Sequence, residues 1–313
     1  MPKRAMCFSA YGGRVGGLFV DSRIKICLDQ SKGWYMKLLI WNMEYWKNFS
    51  KLGWKEKCIY TLSNIIREKN IDFALLQETN PFKLFNIEYE SEKPYRYENI
   101  EYENKSIFYH ELYNELPRKY RKTPWGNAII LTKEFGSYNC SIEYNDTNYY
   151  DGRNGLMCYT FEFKEGKITF INFYNKLNKG IYTMLDKYHY DIKKDIEHII
   201  EKNNNIIVFA GDFNTGSNND DKTHIDRYYD LCNKLDKFVD ISNGEPKCNQ
   251  NTTYWYNWRR KEFFLRNDFC FVNDKKYIQR CYVEFMNNND WEEENGVKRW
   301  RGLSDHCPII VAF

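Results

Sequence analysis

Short, almost wholly apolar runs that stop abruptly at a polar side chain punctuate this chain, and that pattern limits what it can fold into. Leu38-Leu39-Ile40-Trp41 stops at Asn42. Phe73-Ala74-Leu75-Leu76 stops at Gln77-Glu78, and the run at 206–210 stops at Gly211-Asp212-Phe213-Asn214. Runs this short suit buried strands, and none approaches the length of a membrane span. Between them lie stretches of helical spacing. Residues 55–69 carry Ile59, Leu62, Ile65 and Ile66 on one face. Residues 183–202 carry Leu185, Tyr188, Ile192, Ile196 and Ile199, so both stretches read as amphipathic helices. Further strand candidates fall at 128–131, 156–163, 168–174, 269–272, 281–285 and 308–313. Strands and helices are mixed throughout, with no internal repeat and no linker rich in Pro, Gly or Ser.

Residues 83–124 and 215–260 are polar and read as long surface insertions, a kind of loop that is often functional. Residues 1–36 stand apart. Their piece Tyr11-Gly12-Gly13-Arg14-Val15-Gly16-Gly17 lacks a following Lys-Ser/Thr and a preceding strand, so it is no phosphate loop. The chain therefore reads as an N-terminal arm or extra hairpin (1–36) followed by the main domain (37–313). Ten cysteines are scattered without a CxxC pair or zinc spacing. They read as reduced, buried thiols of a cytoplasmic protein, and no secretory signal is expected.

A net charge of +3 over 313 residues gives no global pull toward nucleic acid, so local clusters must carry that argument. Three do: Arg118-Lys119-Tyr120-Arg121-Lys122, Trp258-Arg259-Arg260-Lys261 and Lys298-Arg299-Trp300-Arg301. Each combines cations with an aromatic ring, which suits phosphate backbones and stacked bases. The acidic run Trp291-Glu292-Glu293-Glu294 beside the last argues the other way, or for local charge balance. His110, His189, His198 and His224 read as surface or helix-face residues.

The polar residues at the strand ends are the candidates for chemistry. Asn42, Glu78, Asn172, Tyr174, Asp212 and Asn214 follow apolar runs, Asp268 opens one, and Asp305-His306 precedes the last. Any one alone is an ordinary turn residue. Sheets gather strand ends, however, so these side chains can converge on one rim. Glu78, Asp305 and Asn42 offer hard oxygen ligands of the kind Mg²⁺ or Mn²⁺ takes. His306 needs a fixed tautomer, and a carboxylate such as Asp268 can fix it. Asp212 and Asn214, two apart in a tight turn, suit the positioning of a water and a phosphoryl oxygen.

Taken in order, Leu38-Leu39-Ile40-Trp41-Asn42, Leu75-Leu76-Gln77-Glu78-Thr79, Gly211-Asp212-Phe213-Asn214, Asn267-Asp268-Phe269 and Ser304-Asp305-His306-Cys307-Pro308 resemble the endonuclease/exonuclease/phosphatase superfamily. This DNase I-like group includes exonuclease III and the abasic-site endonucleases. The resemblance covers residues 37–313. It implies an α+β fold, two mixed β-sheets packed as a sandwich and flanked by helices, with the site at one end. It implies metal-site residues Asn42, Glu78 and Asp305, a water- and phosphate-positioning pair Asp212 and Asn214, and Asp268 orienting His306. Tyr174 falls at a phosphate-contacting position. Asn172, Asn127 (in Trp125-Gly126-Asn127-Ala128), Arg153, Thr253 and Trp255 resemble family positions flanking the substrate.

Three functions follow as expectations. The first is a Mg²⁺- or Mn²⁺-dependent nuclease cleaving DNA or RNA by in-line attack of water. The second is a phosphatase or phosphodiesterase acting on a small-molecule or lipid phosphoester. The third is a nonenzymatic binding module that retains the fold, which the full set of acids and the histidine disfavours.

Overall fold

The computed structural model describes residues 36–48, 50–88, 96–103, 105–111, 125–132, 141–144, 155–163, 166–175, 177–178, 182–183, 192–202, 205–214, 222–241, 253–258, 261–273, 282–286, 290–294 and 297–312. The chain divides between Trp34 and Tyr35, and all described residues belong to the second unit. The arm or hairpin expected over 1–36 lies outside the described residues except for Met36.

Strand β1 (Lys37–Asn42) leads through the one-turn helix α1 (Tyr45–Asn48) and helix α2 (Trp54–Lys69) to β2 (Phe73–Thr79) and the short α3 (Pro81–Phe85). A hairpin of β3 (Arg96–Tyr102) and β4 (Lys105–Glu111) precedes β5 (Gly126–Thr132) and β6 (Ser141–Tyr144). Next come β7 (Leu156–Phe163), β8 (Gly166–Tyr174) and the two-residue strands β9 (Leu177–Asn178) and β10 (Tyr182–Thr183). Helix α4 (Ile192–Lys202), β11 (Ile206–Asp212), α5 (Lys222–Lys234) and β12 (Val239–Asp240) follow. The chain continues with hairpin β13 (Tyr254–Trp258) and β14 (Lys261–Leu265), then β15 (Asp268–Val272) and β16 (Tyr282–Phe285). Hairpin β17 (Trp291–Glu294) and β18 (Val297–Trp300) comes before the last strand, β19 (Ile309–Ala312).

Two mixed sheets carry the fold, in the orders β16-β19-β1-β2-β5-β4-β3 and β12-β15-β11-β8-β7-β6. β1 and β2 are parallel, as are β8 and β11. Parallel neighbours need a long crossover, and α2 and α4 lie within the two connections. Alternate side chains of each strand face opposite sides, so both faces of each sheet are used. Leu39, Trp41, Ala74 and Leu76 pack with Cys58, Leu62 and Ile65 of α2. On the other sheet Ile171, Phe173, Ile207 and Phe209 pack with Ile199 of α4, Leu231 of α5 and Leu235 just after it. Between the sheets the ring of Phe73 meets those of Phe161 at 5.1 Å and Phe170 at 4.5 Å, and Phe108 meets Phe161 at 5.7 Å. The result is the expected α+β sandwich.

The insertions are more regular than their polarity suggests. Residues 96–111 form an edge hairpin of the first sheet, paired through β4 to β5. An edge strand needs only one apolar face, so Arg-Tyr-Glu-Asn-Ile-Glu-Tyr carries no apolar run to betray it. Within 215–260 lie α5, β12 and β13. The helix expected from residue 183 is described only from Ile192, and Thr183 instead pairs with Leu177. His110 is buried on β4 with Nε2 3.0 Å from the Tyr159 hydroxyl, not at the surface. His198 is exposed on α4 as expected. Among the described cysteines, Cys58, Cys158, Cys270 and Cys307 are buried. No described helix is long and apolar enough to cross a membrane.

At one end the apolar sandwich gives way to a buried polar clasp. Gln77 Nε2 donates to Asn172 Oδ1 at 2.7 Å, and Asn172 Nδ2 donates to the carbonyls of Ala128 at 2.8 Å and Leu76 at 3.1 Å. Asn172 belongs to one sheet and its three partners to the other. Asn172→Ala removes all three of these bonds from the interior, leaving Gln77 Nε2 only the Leu75 carbonyl at 3.2 Å, and should lower unfolding free energy by about 2–4 kcal/mol. Urea denaturation measures this, and a loss below about 1 kcal/mol would show that the clasp is not what joins the sheets there.

Candidate active site

Strand direction explains why distant residues meet. β1, β2, β8 and β11 deliver their C-terminal ends to one rim: Asn42, Glu78, Tyr174 and Asp212. β15 runs antiparallel to β11 and begins there, with Asp268 opposite Asp212. β19 runs antiparallel to β1 with Ile309 opposite Ile40, which brings the preceding Ser304–His306 turn beside Asn42. Two of the bonds that fix that turn reach β1. Ser304 Oγ donates to the Asn42 carbonyl at 2.8 Å, and Trp41 Nε1 donates to the His306 carbonyl at 3.2 Å.

Glycine is required where the strand ends approach closest. Gly211 has φ of 140°, and a Cβ there would run into the Phe173 carbonyl oxygen. Other site residues take the left-handed conformation without being glycine: Glu44 (φ 48°), Glu78 (φ 45°) and Asn214 (φ 46°). Each costs on the order of 1–3 kcal/mol, and such strain gathers where side chains must be aimed. Glu78 lies in a register shift between β2 and β5, from Leu76 to Thr79, and such a bulge re-aims the side chain it carries.

Asp268 Oδ2 lies 2.7 Å from His306 Nδ1, and both side chains are buried. The far nitrogen, Nε2, stands 3.8 Å from Asp212 Oδ2 and 3.8 Å from Asp305 Oδ1. Burial alone would lower the His306 imidazole, but the charges of Asp268 and Asp212 and the bond to Asp268 raise it above its ordinary value. Burial raises the Asp212 carboxyl well above the carboxylate range, even though His306 pulls it down. Asp212 Oδ1 accepts the Asn214 N–H at 2.8 Å, and Oδ2 accepts the amides of Asn42 at 2.9 Å and Asn214 at 3.1 Å. The Tyr174 phenol is raised by burial, then by the charges of Glu78 and Asp212, its bond to Glu78, and Asp305. Three carboxylates thus surround one phenol.

Asn42 is placed differently from an oxygen ligand. Its Oδ1 accepts the Glu44 N–H at 3.0 Å, which turns Nδ2 onto both Glu78 Oε1 at 3.2 Å and Asp212 Oδ2. An amide has one oxygen and one nitrogen to offer, so Asn42 bridges two carboxylates here. Asn172 is held wholly within the clasp. Asn127 donates to the Gly155 carbonyl and is buried beside it. Thr253 is fully buried and bonded to backbone. Trp255 pairs with Phe264 in the β13–β14 hairpin, its side chain outside the described residues, and Arg153 lies outside them altogether.

Two residues at the site escape the strand-end reading. Glu44, buried, accepts through Oε2 from Asn48 at 3.1 Å and from Arg299 and the Asp305 N–H at 3.3 Å each. Asn175, also buried, bonds the Phe213 carbonyl at 2.8 Å and receives the Asn214 amide at 2.9 Å. Both lie just past strand ends, in turns whose conformation no periodicity announces. The basic cluster at 298–301 is balanced locally. Arg299 pairs with Glu44 at 3.3 Å and Arg301 with Asp290 at 2.8 Å, while Glu292 and Glu293 stand opposite Arg299 and Lys298 across β17–β18. Residues 118–122 and Arg259-Arg260 lie outside the described residues.

Asp212, Asp268 and His306 form a group that can hold a metal ion, each offering a ligand atom within 4.8 Å of the others. In that group the 2.7 Å hydrogen bond already joins Asp268 to Nδ1 of His306. Glu78 and Asp305 add carboxylate oxygens on the Tyr174 side, a donor set that fits a hard divalent cation.

Residues 59–306 match the model of the Endonuclease/Exonuclease/phosphatase family. Among solved structures, the AP endonuclease LMAP from Leishmania major is 14% identical over 94% of this chain and 92% of its own, with a TM-score of 0.57. TDP2 of D. rerio complexed with single strand DNA product is 13% identical over 89% of this chain and 98% of its own, TM-score 0.53. An endonuclease/exonuclease/phosphatase family protein from Leptotrichia buccalis C-1013-b is 18% identical over 88% and 98%, TM-score 0.53. At these identities the likeness establishes the shared fold. No curated protein matches in sequence.

The raised imidazole sets the pH dependence of the metal-free fold. His306 binds its proton more tightly folded than unfolded, so its contribution is full below the unfolded value of about 6.5 and is lost as pH rises through the higher folded value. Raised Asp212 acts with the same sign, because the folded state again holds the extra proton. Thermal midpoints in EDTA should therefore fall as pH is raised above neutrality, and His306→Ala should flatten that slope. An unchanged slope in the variant would place the titration elsewhere.

Proposed function

The chain belongs to the Endonuclease/Exonuclease/phosphatase family, and from that premise we propose that it is a divalent-metal-dependent phosphodiesterase whose substrate is a nucleic acid. The observation that carries this reading is a buried imidazole held by Asp268 on one nitrogen and facing Asp212 and Asp305 on the other. Support for a polynucleotide comes from proteins of the same fold, among them an AP endonuclease and a TDP2 complexed with single strand DNA product.

Each side chain has a task that its surroundings suit. Asp212, raised by burial, is a carboxylate basic enough to take a proton from an attacking water near neutral pH. The Asn214 and Asn42 amides hold both of its oxygens, so its orientation survives the proton's arrival. His306, kept charged by Asp268, presents Nε2–H to a phosphoryl oxygen as negative charge builds. Tyr174 keeps its phenolic proton because burial and Glu78 raise it, and the single O–H that meets Glu78 here would turn to a second phosphoryl oxygen when substrate enters. Glu78 and Asp305 are the residues that would hold Mg²⁺ or Mn²⁺, which when bound supplies positive charge to the phosphate and the leaving oxygen. The buried cysteines support a reducing, cytoplasmic setting.

Purified protein is incubated with labelled single-stranded DNA, duplex DNA and RNA, and in parallel with bis-p-nitrophenyl phosphate and small phosphomonoesters, each with Mg²⁺, Mn²⁺ or EDTA. Polymer cleavage that EDTA abolishes is expected. Turnover of the small esters alone would move the substrate to a small phosphoester. Glu78→Gln and His306→Ala should each reduce the rate by about 10²–10⁴-fold with the fold intact by circular dichroism. Full turnover in either variant would falsify the assigned site.

A further inference from the structure

The Asp268–His306 hydrogen bond joins side chains from different sheets, and no ladder sets their separation. β15 pairs with β11 and β12, while β19 pairs with β1 and β16. A buried residue immediately before β13 ties both. Thr253 Oγ1 accepts the N–H of Asn267 at 3.0 Å and of Asp268 at 3.1 Å. Its own carbonyl accepts the Cys307 N–H at 2.8 Å. The next residue, Tyr254, forms a backbone bridge to His306 and lays its ring beside the imidazole, centroids 4.7 Å apart.

We propose that Thr253 is the positioning residue of the Asp268–His306 pair, its hydroxyl and carbonyl setting where the two side chains meet. This rests on the phosphodiesterase reading for its consequence in turnover. The hydroxyl spends both lone pairs on consecutive N–H groups, and the second of them is Asp268's own. The carbonyl fixes the residue after His306. A threonine here thus grips one partner on its backbone and the other one residue away. A charge-assisted bond of 2.7 Å tolerates little displacement, so a slip of either segment weakens it. Fully buried and committed to backbone, the Thr253 hydroxyl acts through the pair and does not reach a substrate, in contrast to the substrate-flanking place its sequence context suggests.

Valine has the same shape without the acceptor, and serine keeps the acceptor without the methyl. Wild type, Thr253→Val and Thr253→Ser are compared by hydrolysis kinetics on a fluorescent oligonucleotide and bis-p-nitrophenyl phosphate, by Mn²⁺ titration, and by backbone hydrogen–deuterium exchange. In the valine variant kcat should fall about tenfold or more while KM and Mn²⁺ affinity stay within about twofold, and serine should recover to within about threefold of wild type. Exchange should quicken at 267–268 and 306–307 and nowhere else. Unchanged kcat in the valine variant overturns the proposal. So does a parallel loss of kcat, Mn²⁺ affinity and protection throughout the fold, which marks a merely structural threonine. Should wild type cleave neither substrate, the functional reading fails separately. Exchange then decides alone: local quickening supports the positioning role, and uniform or absent change overturns it.

Discussion

A hydrogen bond from the Gln77 amide to Asn172 Oδ1, 2.7 Å long, crosses between the sheets where their apolar packing ends. The phenylalanines between the sheets contribute cohesion, but hydrophobic contact is non-directional and does not by itself fix how the sheets lie. Amide hydrogen bonds are directional, and this one sits beside the residues that matter. Glu78 follows Gln77, and Tyr174 lies two beyond Asn172. Once the clasp fixes how β2 and β8 lie across from each other, the Glu78 carboxylate and the Tyr174 phenol have a defined meeting point. Asn42 then spans from Glu78 to Asp212, carrying the same constraint to β11.

What the clasp holds together is unfavourable on its own. Asp212, Asp268, Glu78 and Glu44 are all buried or nearly so, and three residues at the rim take left-handed conformations. Isolated carboxylates in an apolar interior either protonate or find partners. Here they do both. Asp212 moves toward holding a proton, Asp268 shares the His306 imidazole, and Glu44 takes Arg299 and the Asp305 N–H. The rim is therefore a place where the fold gives up stability to keep charges aimed, which is where strain is expected to persist. The remote core must supply the difference, and the two helix-covered outer faces give it the apolar area to do so.

Much of this was legible in the sequence because apolar runs and their polar stops mark strand ends directly. The runs before Asn42, Glu78 and Asp212 became β1, β2 and β11, and the helical spacing of Ile59, Leu62, Ile65 and Ile66 became α2. The hairpin at 96–111 was not legible, since the edge strand β3 mixes Tyr and Ile with Arg, Glu and Asn and looks like loop, and the buried apolar run Ile107-Phe108-Tyr109 of β4 is only three residues long. His110 went with it: a histidine on an unrecognised strand has no visible reason to be inside. The site's membership was readable and its hydrogen-bond directions were not. Asn42 carries both an oxygen and a nitrogen, and only the Glu44 N–H, a turn away, decides which one meets the carboxylates. Thr253 likewise offers a hydroxyl whose partners, the N–H groups of Asn267 and Asp268, are chosen by how β13 and β15 are placed.

The charge arrangement also bears on how a polyanion can be held. The cluster Lys298-Arg299-Trp300-Arg301 looks like a phosphate-binding surface by composition, yet its arginines are engaged. Arg299 neutralises Glu44 and Arg301 is drawn to Asp290 while lying over the Trp300 ring. Because Glu44 also holds the Asp305 N–H, Arg299 helps to shape the turn that presents Asp305 and His306. A basic residue can thus serve a phosphate site without touching phosphate, by making a buried carboxylate tolerable. The carboxylates around Tyr174 repel a phosphate until their charge is compensated, and the His306 imidazolium supplies one unit of that compensation from within the protein. On the nuclease reading, affinity for the polymer then has to come from outside this hairpin, and the cation–aromatic segments at 118–122 and 258–261 have the composition to provide it.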